Sequence, residues 1–488
     1  MADNFKILMV NPPFLPEHGR FSRYNRSPGI TKSGTLYYPL WLAFATGVLE
    51  KAGFDIKLID CPAQRIDLNG LLEIVINFKP DLVCIETSTP SIYDDINTAK
   101  LIKAVIPDKK ICMTGTHVSV LPDETLGMAP GVDYIARSEY DYTLLELAQR
   151  LAGRGDTSGI PGISFRKNSK VINNPDRPYI QNLDEMPFLA EIVKKHLRVE
   201  DYFFAVARYP MIMMITGRGC PHKCIFCLWP QTLHGRGYRL RSAENVAEEF
   251  KYIRENFPQV REVVIEDDTF TANLKRIREI SKLLIEDGNK LLWTANVRAS
   301  LDYETMVLMK KASCRMIIVG YEAGDAETLK RMHKGITLDM SYNFARSARR
   351  AGLLVHGCFM AGNPGEDRRC LSETLRLSKH LAPDTAQFFP VMAYPGTEAY
   401  EWARRNNFLM SDNYREWVTD DGLHNCVIRT EHLSPETLVH FCDYARRDFY
   451  IRPEYLFRKA VQSIFKPEEM KRNLIAFKNF FRHLVMRG

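Results

Sequence analysis

Residues 211–230 read Met-Ile-Met-Met-Ile-Thr-Gly-Arg-Gly-Cys-Pro-His-Lys-Cys-Ile-Phe-Cys-Leu-Trp-Pro, and this stretch decides the fold. The apolar run at its start is typical of a buried strand, and it stops at Thr216-Gly217. Three cysteines then follow with the spacing C-x3-C-x2-C, namely Cys220, Cys224 and Cys227. Three thiolates on one tight loop suit an iron–sulfur cluster with one open iron, whereas a structural zinc site normally has a fourth Cys or His ligand. A zinc knuckle is the alternative interpretation.

The spacing, with the aromatic Phe226 just before the last cysteine, resembles the signature of the radical S-adenosylmethionine (SAM) superfamily. The resemblance implies a [4Fe-4S] cluster whose open iron holds SAM, while the backbone beside Phe226 receives the adenine. It also implies that an electron, supplied by a donor such as flavodoxin or ferredoxin, cleaves SAM to a 5′-deoxyadenosyl radical. That radical would remove a hydrogen atom from the substrate.

The chain has 488 residues, of which 45% are hydrophobic and 26% are charged, as is ordinary for a globular protein. Its length indicates about three domains, or two with extensions. The net charge of +7 is compatible with anionic cofactors or a membrane surface and does not by itself indicate nucleic acid. The remaining cysteines are scattered singly, for example Cys84 and Cys112 inside apolar runs, which is typical of a reducing compartment.

The amino-terminal residues lack the layout of a signal peptide. The longest uncharged stretch, residues 33–49, is too short and too polar at its start to span a bilayer, and it predicts a buried helix near Pro39–Ala52. We therefore expect a cytoplasmic protein.

Residues 1–155 alternate strand and helix patterns, which predicts a parallel, doubly wound, Rossmann-like sheet. Its expected strands are Lys6–Val10, Asp55–Ile59, Leu82–Ile85, Lys110–Thr114 and Asp133–Ala136. Ligands of such sheets bind beyond the carboxyl ends of the strands, and no G-x-G-x-x-G follows the first strand. The residues expected to line this crevice are Asn11, Ser88, Thr89, Gly115, His117, Arg137 and Glu139.

By its layout and by the motif Thr-Gly-Thr-His-Val at 114–118, this domain resembles the N-terminal cobalamin-binding domain of one large branch of radical SAM enzymes. The resemblance implies cobalamin in the crevice, although some relatives in that branch have lost it. The D-x-H-x-x-G motif that supplies a histidine to cobalt elsewhere is absent. His117 is a candidate replacement, but a loop histidine is more often a hydrogen-bonded turn residue.

Residues 156–204 form a connector in this interpretation, with the start of a hairpin at 159–168. From 205 to 400 the alternation resumes at longer spacing and gives six β/α units, which fit the open (β/α)6 partial TIM barrel of the radical SAM family. The expected strands are Met211–Thr216, Glu262–Glu266, Leu291–Ala295, Met316–Gly320, Leu354–Met360 and Ala386–Val391.

Polar residues follow these strands at the ends where barrel enzymes carry their chemistry. By resemblance, Glu266 and Asp267 occupy the place where the family binds the amino group of SAM, while Asn296, Arg298 and Glu322 match positions that meet its ribose or carboxylate. The charges suit the ligand, because SAM carries an ammonium, a sulfonium and a carboxylate. The alternative is that such acidic residues simply cap the next helix.

Residues 401–488 form a helical C-terminal domain in this interpretation. Its last segment, 467–486, has an apolar face and a basic face, so it would either lie on an anionic membrane surface or pack against the barrel.

Several motifs, among them Trp229-Pro-Gln-Thr and Thr87-Ser-Thr-Pro-Ser, resemble the radical SAM proteins of hopanoid biosynthesis, which build a cyclitol head group on a sugar-bearing lipid. The main functional hypothesis is therefore the modification of an unactivated carbon of a small-molecule or lipid-linked substrate, such as rearrangement of a hopanoid sugar. The alternatives are a cobalamin-dependent C-methyltransferase of natural-product biosynthesis and a non-catalytic cobalamin or metal sensor. A tRNA methylthiotransferase is disfavoured, because the other cysteines form no second cluster motif.

Overall fold

The computed structural model describes residues 5–465 and contains two parallel sheets. The first sheet has seven strands in the order β2-β1-β3-β4-β5-β6-β7. Strands β1 to β5 are parallel, and the β6–β7 hairpin joins β5 in antiparallel fashion. The strands are β1 (Lys6–Asn11), β2 (Asp55–Asp60), β3 (Leu82–Thr87), β4 (Lys110–Gly115), β5 (Tyr134–Ala136), β6 (Ile163–Lys167) and β7 (Lys170–Asn173).

Helices accompany this sheet and lead into the second one. They are α1 (Leu40–Lys51), α2 (Cys61–Gln64), α3 (Leu68–Phe78), α4 (Ile92–Val105), α5 (Thr116–Val120), α6 (Pro122–Met128), α7 (Asp141–Ala152) and α8 (Leu189–His196). Helix α1 is buried along almost its whole length, as its uncharged sequence predicts.

The second sheet is an open barrel of six parallel strands in the order β15-β14-β13-β12-β11-β8, with β15 and β8 at its edges. The strands of this half of the chain are β8 (Met211–Met214), β9 (Gly217–Arg218), β10 (Arg239–Leu240), β11 (Glu262–Ile265), β12 (Leu292–Val297), β13 (Cys314–Glu322), β14 (Leu354–Ala361) and β15 (Thr385–Pro390). Strands β9 and β10 form a separate antiparallel pair at the barrel mouth.

The barrel helices begin at side-chain caps that follow the strands. Ser242, Asn273, Asp302, Thr337 and Asp367 each accept a hydrogen bond from a backbone N–H in the first turn of the next helix. The helices of this half are α9 (Leu228–Thr232), α10 (Ala243–Asn256), α11 (Leu274–Glu286), α12 (Tyr303–Lys311), α13 (Ala326–Arg331), α14 (Leu338–Arg350), α15 (Arg368–Leu381), α16 (Glu398–Arg405), α17 (Pro435–Ile451) and α18 (Pro453–Phe465).

The two sheets share one apolar core and are also joined by buried ion pairs. Arg218 of β9 donates to both oxygens of Asp141, at 2.7 and 3.2 Å, across the boundary between the sheets. Arg239 of β10 donates to Glu139 at 2.7 Å. The first sheet is therefore fixed directly to the base of the cysteine loop.

The α/β fold class expected from the sequence is confirmed, with both parallel sheets present. The β6–β7 hairpin lies within residues 156–204 and extends the first sheet, although the sequence assigns that range to a connector. The amphipathic segment 467–486 lies outside the described residues. Among residues 5–465, no helix is both long enough and apolar enough to cross a membrane.

Candidate active site at the barrel mouth

The cysteine loop, residues 219–227, is held in place by its first residue and by Asp268. Gly219 has a φ of +84°, and a Cβ there would lie 2.1 Å from the carbonyl oxygen of Gly237, so only glycine fits. Asp268 accepts hydrogen bonds from the Gly219 N–H at 2.9 Å and from His234 at 2.8 Å. Burial raises the pKa of Asp268, but His234 and the hydrogen bonds outweigh it and hold the pKa below its usual value. The loop is thereby fixed to the carboxyl end of β11.

All three thiols of the loop line one cavity of about 2220 Å³ at the barrel mouth, and none is in a disulfide. In residues 5–465 there is no group of three or more His, Cys, Asp or Glu side chains placed to hold a metal ion. Three thiols that line one cavity and are free of disulfides are the ligand type that an iron–sulfur cluster takes.

Glu266, at the carboxyl end of β11, faces this cavity and is held by two neighbours. Asn296 donates to one of its carboxylate oxygens at 2.9 Å, and Arg26 pairs with the other. Arg26 also donates to the backbone oxygen of Asp267 at 2.8 Å and lies 4.4 Å from the ring centre of Trp229. A segment of the first 40 residues thus contributes a cation to the barrel mouth.

Glu322, at the end of β13, has one oxygen bound and one free of protein partners. Lys334 donates to its Oε1 at 2.6 Å, while the buried Oε2 has no hydrogen-bond partner among the described residues. Burial lowers the pKa of Lys334, but Glu322 raises it more, so the pKa lies above its usual value. Glu322 has a φ of +66°, at an irregularity in the β13–β14 pairing. A carboxylate oxygen kept buried and unpaired is an acceptor site for a ligand.

Arg298 completes the lining next to the thiols. Its Nη1 lies 3.9 Å from the Cys224 sulfur, and its Nη2 donates to the backbone oxygen of Lys334. A guanidinium in this position matches a carboxylate ligand bound beside the cysteine loop.

Asp267 departs from the expected SAM contact. Its two carboxylate oxygens accept from the Thr216 N–H and from the Thr216 hydroxyl, both at 2.6 Å. It is fully buried and does not line the cavity, and burial raises its pKa to about 6. Adjacent residues at a strand end face opposite sides, so Glu266 takes the cavity side and Asp267 ties β11 to β8.

Three residues that line the cavity were not predicted from the sequence, namely Arg26, Lys334 and Asp268. The acidic stretch after β11 includes Asp268, so its sequence signal was present. Arg26 and Lys334 lie in loops without a recognisable motif. Glu266, the partner of Arg26, is 240 positions away in the chain, and Glu322, the partner of Lys334, is at the end of β13.

The turn Tyr414–Trp417 covers the expected cobalamin crevice at His117. His117, in the first turn of α5 directly after β4, makes a hydrogen bond through Nδ1 to Thr89 at 3.2 Å, and burial lowers its pKa to about 3. The ring of Tyr414, in the turn Tyr414–Trp417, packs edge-on against His117 at a centroid distance of 4.8 Å. His117 Nε2 is buried with no partner among the described residues.

The neighbouring crevice residues are also engaged within the protein. Asn11 donates to Asp60 at 2.8 Å and accepts from Arg23 at 3.0 Å, and Ser88 is bonded to Ser91 at 2.8 Å. Gly115 has a φ of +114°, and a Cβ there would lie 2.4 Å from the Thr87 oxygen, so this turn is confined to glycine.

Arg137 and Glu139, the two remaining residues expected at the crevice, are engaged in contacts with the β6–β7 hairpin and with β10. Arg137 donates to Ser164 at 2.7 Å and to Asp176 at 2.9 Å, so it secures the β6–β7 hairpin. Glu139 binds Arg239 and the Ile180 N–H and thereby joins the two sheets.

The open barrel and its cysteine-lined mouth define a class of enzyme that binds an iron–sulfur cluster and a charged cosubstrate. Family models agree with this class. Residues 214–378 match the Radical SAM superfamily, and residues 26–148 match the B12 binding domain.

Known relatives cover most of the chain. An uncharacterized methyltransferase, PH0819 of Pyrococcus horikoshii, is 33% identical over 93% of this chain and 94% of its own length. The anaerobic magnesium-protoporphyrin IX monomethyl ester cyclase of Rubrivivax gelatinosus is 26% identical over 74% of this chain and 66% of its own length. The hopanoid C-3 methylase of Methylococcus capsulatus is 26% identical over 77% and 70%, respectively.

Among solved structures, the radical SAM methyltransferase TsrM of Kitasatospora setae, with cobalamin and a [4Fe-4S] cluster bound, matches with a TM-score of 0.69. The identity is 18%, and the match covers 93% of this chain and 90% of TsrM. The chain therefore belongs to the radical SAM enzymes that carry an N-terminal B12-binding domain.

The cofactors of this family are a [4Fe-4S] cluster, SAM and cobalamin. The three thiols, the unpaired Glu322 oxygen and Arg298 fit the cluster and SAM. At the ends of β3 and β4, the buried His117 Nε2 without a partner among the described residues is a group that cobalamin could meet, and the ring of Tyr414 packs against the same imidazole.

Proposed function

We propose that this chain is a cobalamin-dependent radical SAM methyltransferase that acts on an unactivated carbon. The observation that carries the proposal is the cavity shared by the three thiols, Arg298 and the unpaired Glu322 oxygen. Relatives named as methyltransferases support methyl transfer over rearrangement.

The chain's own residues would bind and orient SAM for this reaction. Cys220, Cys224 and Cys227 would hold the cluster, which would supply the electron for reductive cleavage of SAM. Arg298, next to Cys224, offers its guanidinium to the SAM carboxylate. Glu322 Oε2 and the Glu266 carboxylate are the acceptors for the ammonium and ribose groups. Cobalamin, when bound, supplies a carrier for the methyl group.

The burial of these groups has a chemical purpose. Glu266 and Glu322 are almost fully buried, so water competes little for them. Charge-assisted hydrogen bonds to SAM are stronger in such an environment than in water. Exclusion of water also protects a reactive radical from side reactions.

Methyl transfer is tested with protein reconstituted anaerobically with iron, sulfide and hydroxocobalamin. SAM with a trideuterated methyl group is supplied together with candidate substrates. The proposal predicts a product that carries the trideuterated methyl group, with S-adenosylhomocysteine and 5′-deoxyadenosine formed alongside it. A product without the label, formed with 5′-deoxyadenosine alone, would contradict methyl transfer and indicate rearrangement.

Rearrangement of a hopanoid sugar head group to a cyclitol is the second candidate. The cyclase among the relatives supports ring chemistry within this family, and the hopanoid C-3 methylase supports a lipid substrate. The labelling experiment above separates the two, because a rearranged product gains no methyl group.

The proposal also includes an electron donor and a cellular location. We assign electron supply to a flavodoxin or ferredoxin, which 5′-deoxyadenosine formation with each purified donor would test. Peripheral contact with the inner membrane surface through residues 467–486 remains a prediction, and vesicle co-sedimentation would test it.

A further inference from the structure

The cavity at the thiols continues along the inside of the barrel. Every second residue of two neighbouring strands lines it, as expected for one face of a strand: Ile318, Gly320 and Glu322 of β13, and His356, Cys358 and Met360 of β14. Four residues of a strand span about 13 Å. The cavity therefore runs from the thiols deep toward the amino-terminal ends of the strands.

The lining of this passage explains why it stays open. Closed barrels are filled by layers of bulky side chains, whereas this barrel is open between β8 and β15. Gly320 and Ala386 are small lining residues. A Cβ at Gly320 would lie 2.0 Å from Glu322 Oε1, so a larger residue there would displace this carboxylate.

The far end of the passage opens onto an apolar surface of the C-terminal helices. Ile451 and Leu456 line the cavity beside the first residues of β15 and are 50% and 45% exposed. Contiguous exposed apolar side chains at the mouth of a cavity mark a site for an apolar ligand.

Both ends of the passage carry charged side chains. At the inner end Glu266 pairs with Arg26 and Glu322 pairs with Lys334, whereas the outer rim carries the exposed cations Arg261, Lys290 and Arg447. A ligand with a polar end among the inner groups, an apolar chain along the barrel and contact with an anionic surface at the rim would satisfy all three regions.

We propose that this passage binds the apolar chain of a lipid-type, amphipathic substrate, with the reacting carbon at the inner end near the thiols. The proposal rests on the radical SAM function above and names the class of its substrate. The rim formed by Ile451 and Leu456 is the entry for the chain. The volume of about 2220 Å³ is shared by the cluster, SAM and the substrate, and it exceeds the volume of about 300–1,000 Å³ that is usual for a single small ligand.

The test measures the binding of cis-parinaric acid, a fluorescent fatty acid, to the reconstituted full chain. The double variant Ile451→Glu/Leu456→Glu places two charges at the rim, and we expect it to weaken binding at least tenfold. Phe457→Glu is the matched control, because this residue is on the same helix and more exposed but does not line the cavity. It should bind the probe as the wild type does.

Four outcomes would overturn the proposal. They are the absence of probe binding, equal binding by the wild type and the rim variant, a tenfold gain in affinity on Phe477→Asp/Phe481→Asp, and a dimer that the rim variant breaks. The last two would show that residues 466–488 or a second copy cover the rim. Formation of 5′-deoxyadenosine by the wild type is measured separately, so failure of the radical SAM function is distinguished from failure of the passage.

Discussion

At the scale of single residues, the carboxylates of the barrel mouth differ in what already binds them. Both oxygens of Asp267 are occupied by Thr216, whereas Glu322 keeps one oxygen without a partner among residues 5–465. A buried acceptor left unpaired costs about 1–3 kcal/mol, so its retention points to a ligand that completes it.

Glu322→Gln should therefore raise the KM for SAM by about tenfold or more, because a charge-assisted hydrogen bond is worth roughly 1.5–3 kcal/mol. The iron content should be unchanged, since Glu322 is not a cluster ligand. Asp267→Asn is the matched control, with a lower melting temperature and an unaltered KM. The reverse pattern, with KM raised only by Asp267→Asn, would refute this assignment.

A second residue-scale prediction concerns pH. Burial raises the pKa of Glu86 to about 7 from 4.5, although hydrogen bonds from Tyr140 and Thr114 lower it in part. The folded state thus holds this proton more tightly than the unfolded state, so the stabilisation is present below pH 4.5 and is lost as pH rises to about 7. Glu86→Gln should reduce the fall in the free energy of unfolding across this range, measured by urea denaturation. An unchanged pH dependence would contradict it.

The residues that could be predicted from the sequence are those whose signal is local. Cys220, Cys224 and Cys227 lie within eight positions, and the glutamates directly follow strands. Arg26 pairs with Glu266 from 240 positions away, and no local pattern reports such a contact. Whether Asp267 or Glu266 faces the cavity depends on the pleat at the end of β11, and the amino-acid sequence alone does not determine this.

At the scale of elements, the cysteine loop depends on a backbone shape that one residue permits. Gly219→Ala would place a Cβ against the Gly237 oxygen in a left-handed conformation, so the loop must shift. We expect the reconstituted iron content to fall by at least half while the circular dichroism spectrum is retained. Gly237→Ala provides the control, because a Cβ there meets nothing within 4 Å. Equal iron contents in the two variants would be evidence against this role for Gly219.

Most elements could be predicted because their apolar periodicity is strong. The helix expected near Pro39–Ala52 spans Leu40–Lys51 in the structure, and the barrel strands lie within a few residues of their predicted positions. The turn Tyr414–Trp417 could not be predicted as a cover for the crevice. Its contact with His117 joins parts of the chain about 300 positions apart, which periodicity does not report.

At the scale of the whole molecule, the turn Tyr414–Trp417 covers the B12-binding domain at His117, directly after β4. Tyr414→Ala would remove the ring that packs on His117 and open this crevice. We expect faster uptake of hydroxocobalamin by the variant, followed by the absorption spectrum of the protein after gel filtration. Ile76→Ala, a change at an exposed residue of α3, is the control. Slower or equal uptake by Tyr414→Ala would contradict a covering role for the turn.

We propose that the three thiols at the mouth of the open barrel hold a cluster that cleaves SAM. The amount of 5′-deoxyadenosine formed under anaerobic, reducing conditions by the wild type and by Cys224→Ala tests this role. We expect formation by the wild type and a loss of at least a hundredfold in the variant, with Cys370→Ala, a change at a buried cysteine outside the cavity, close to the wild type. Equal formation by the wild type and Cys224→Ala, or none by the iron-loaded wild type, would contradict it.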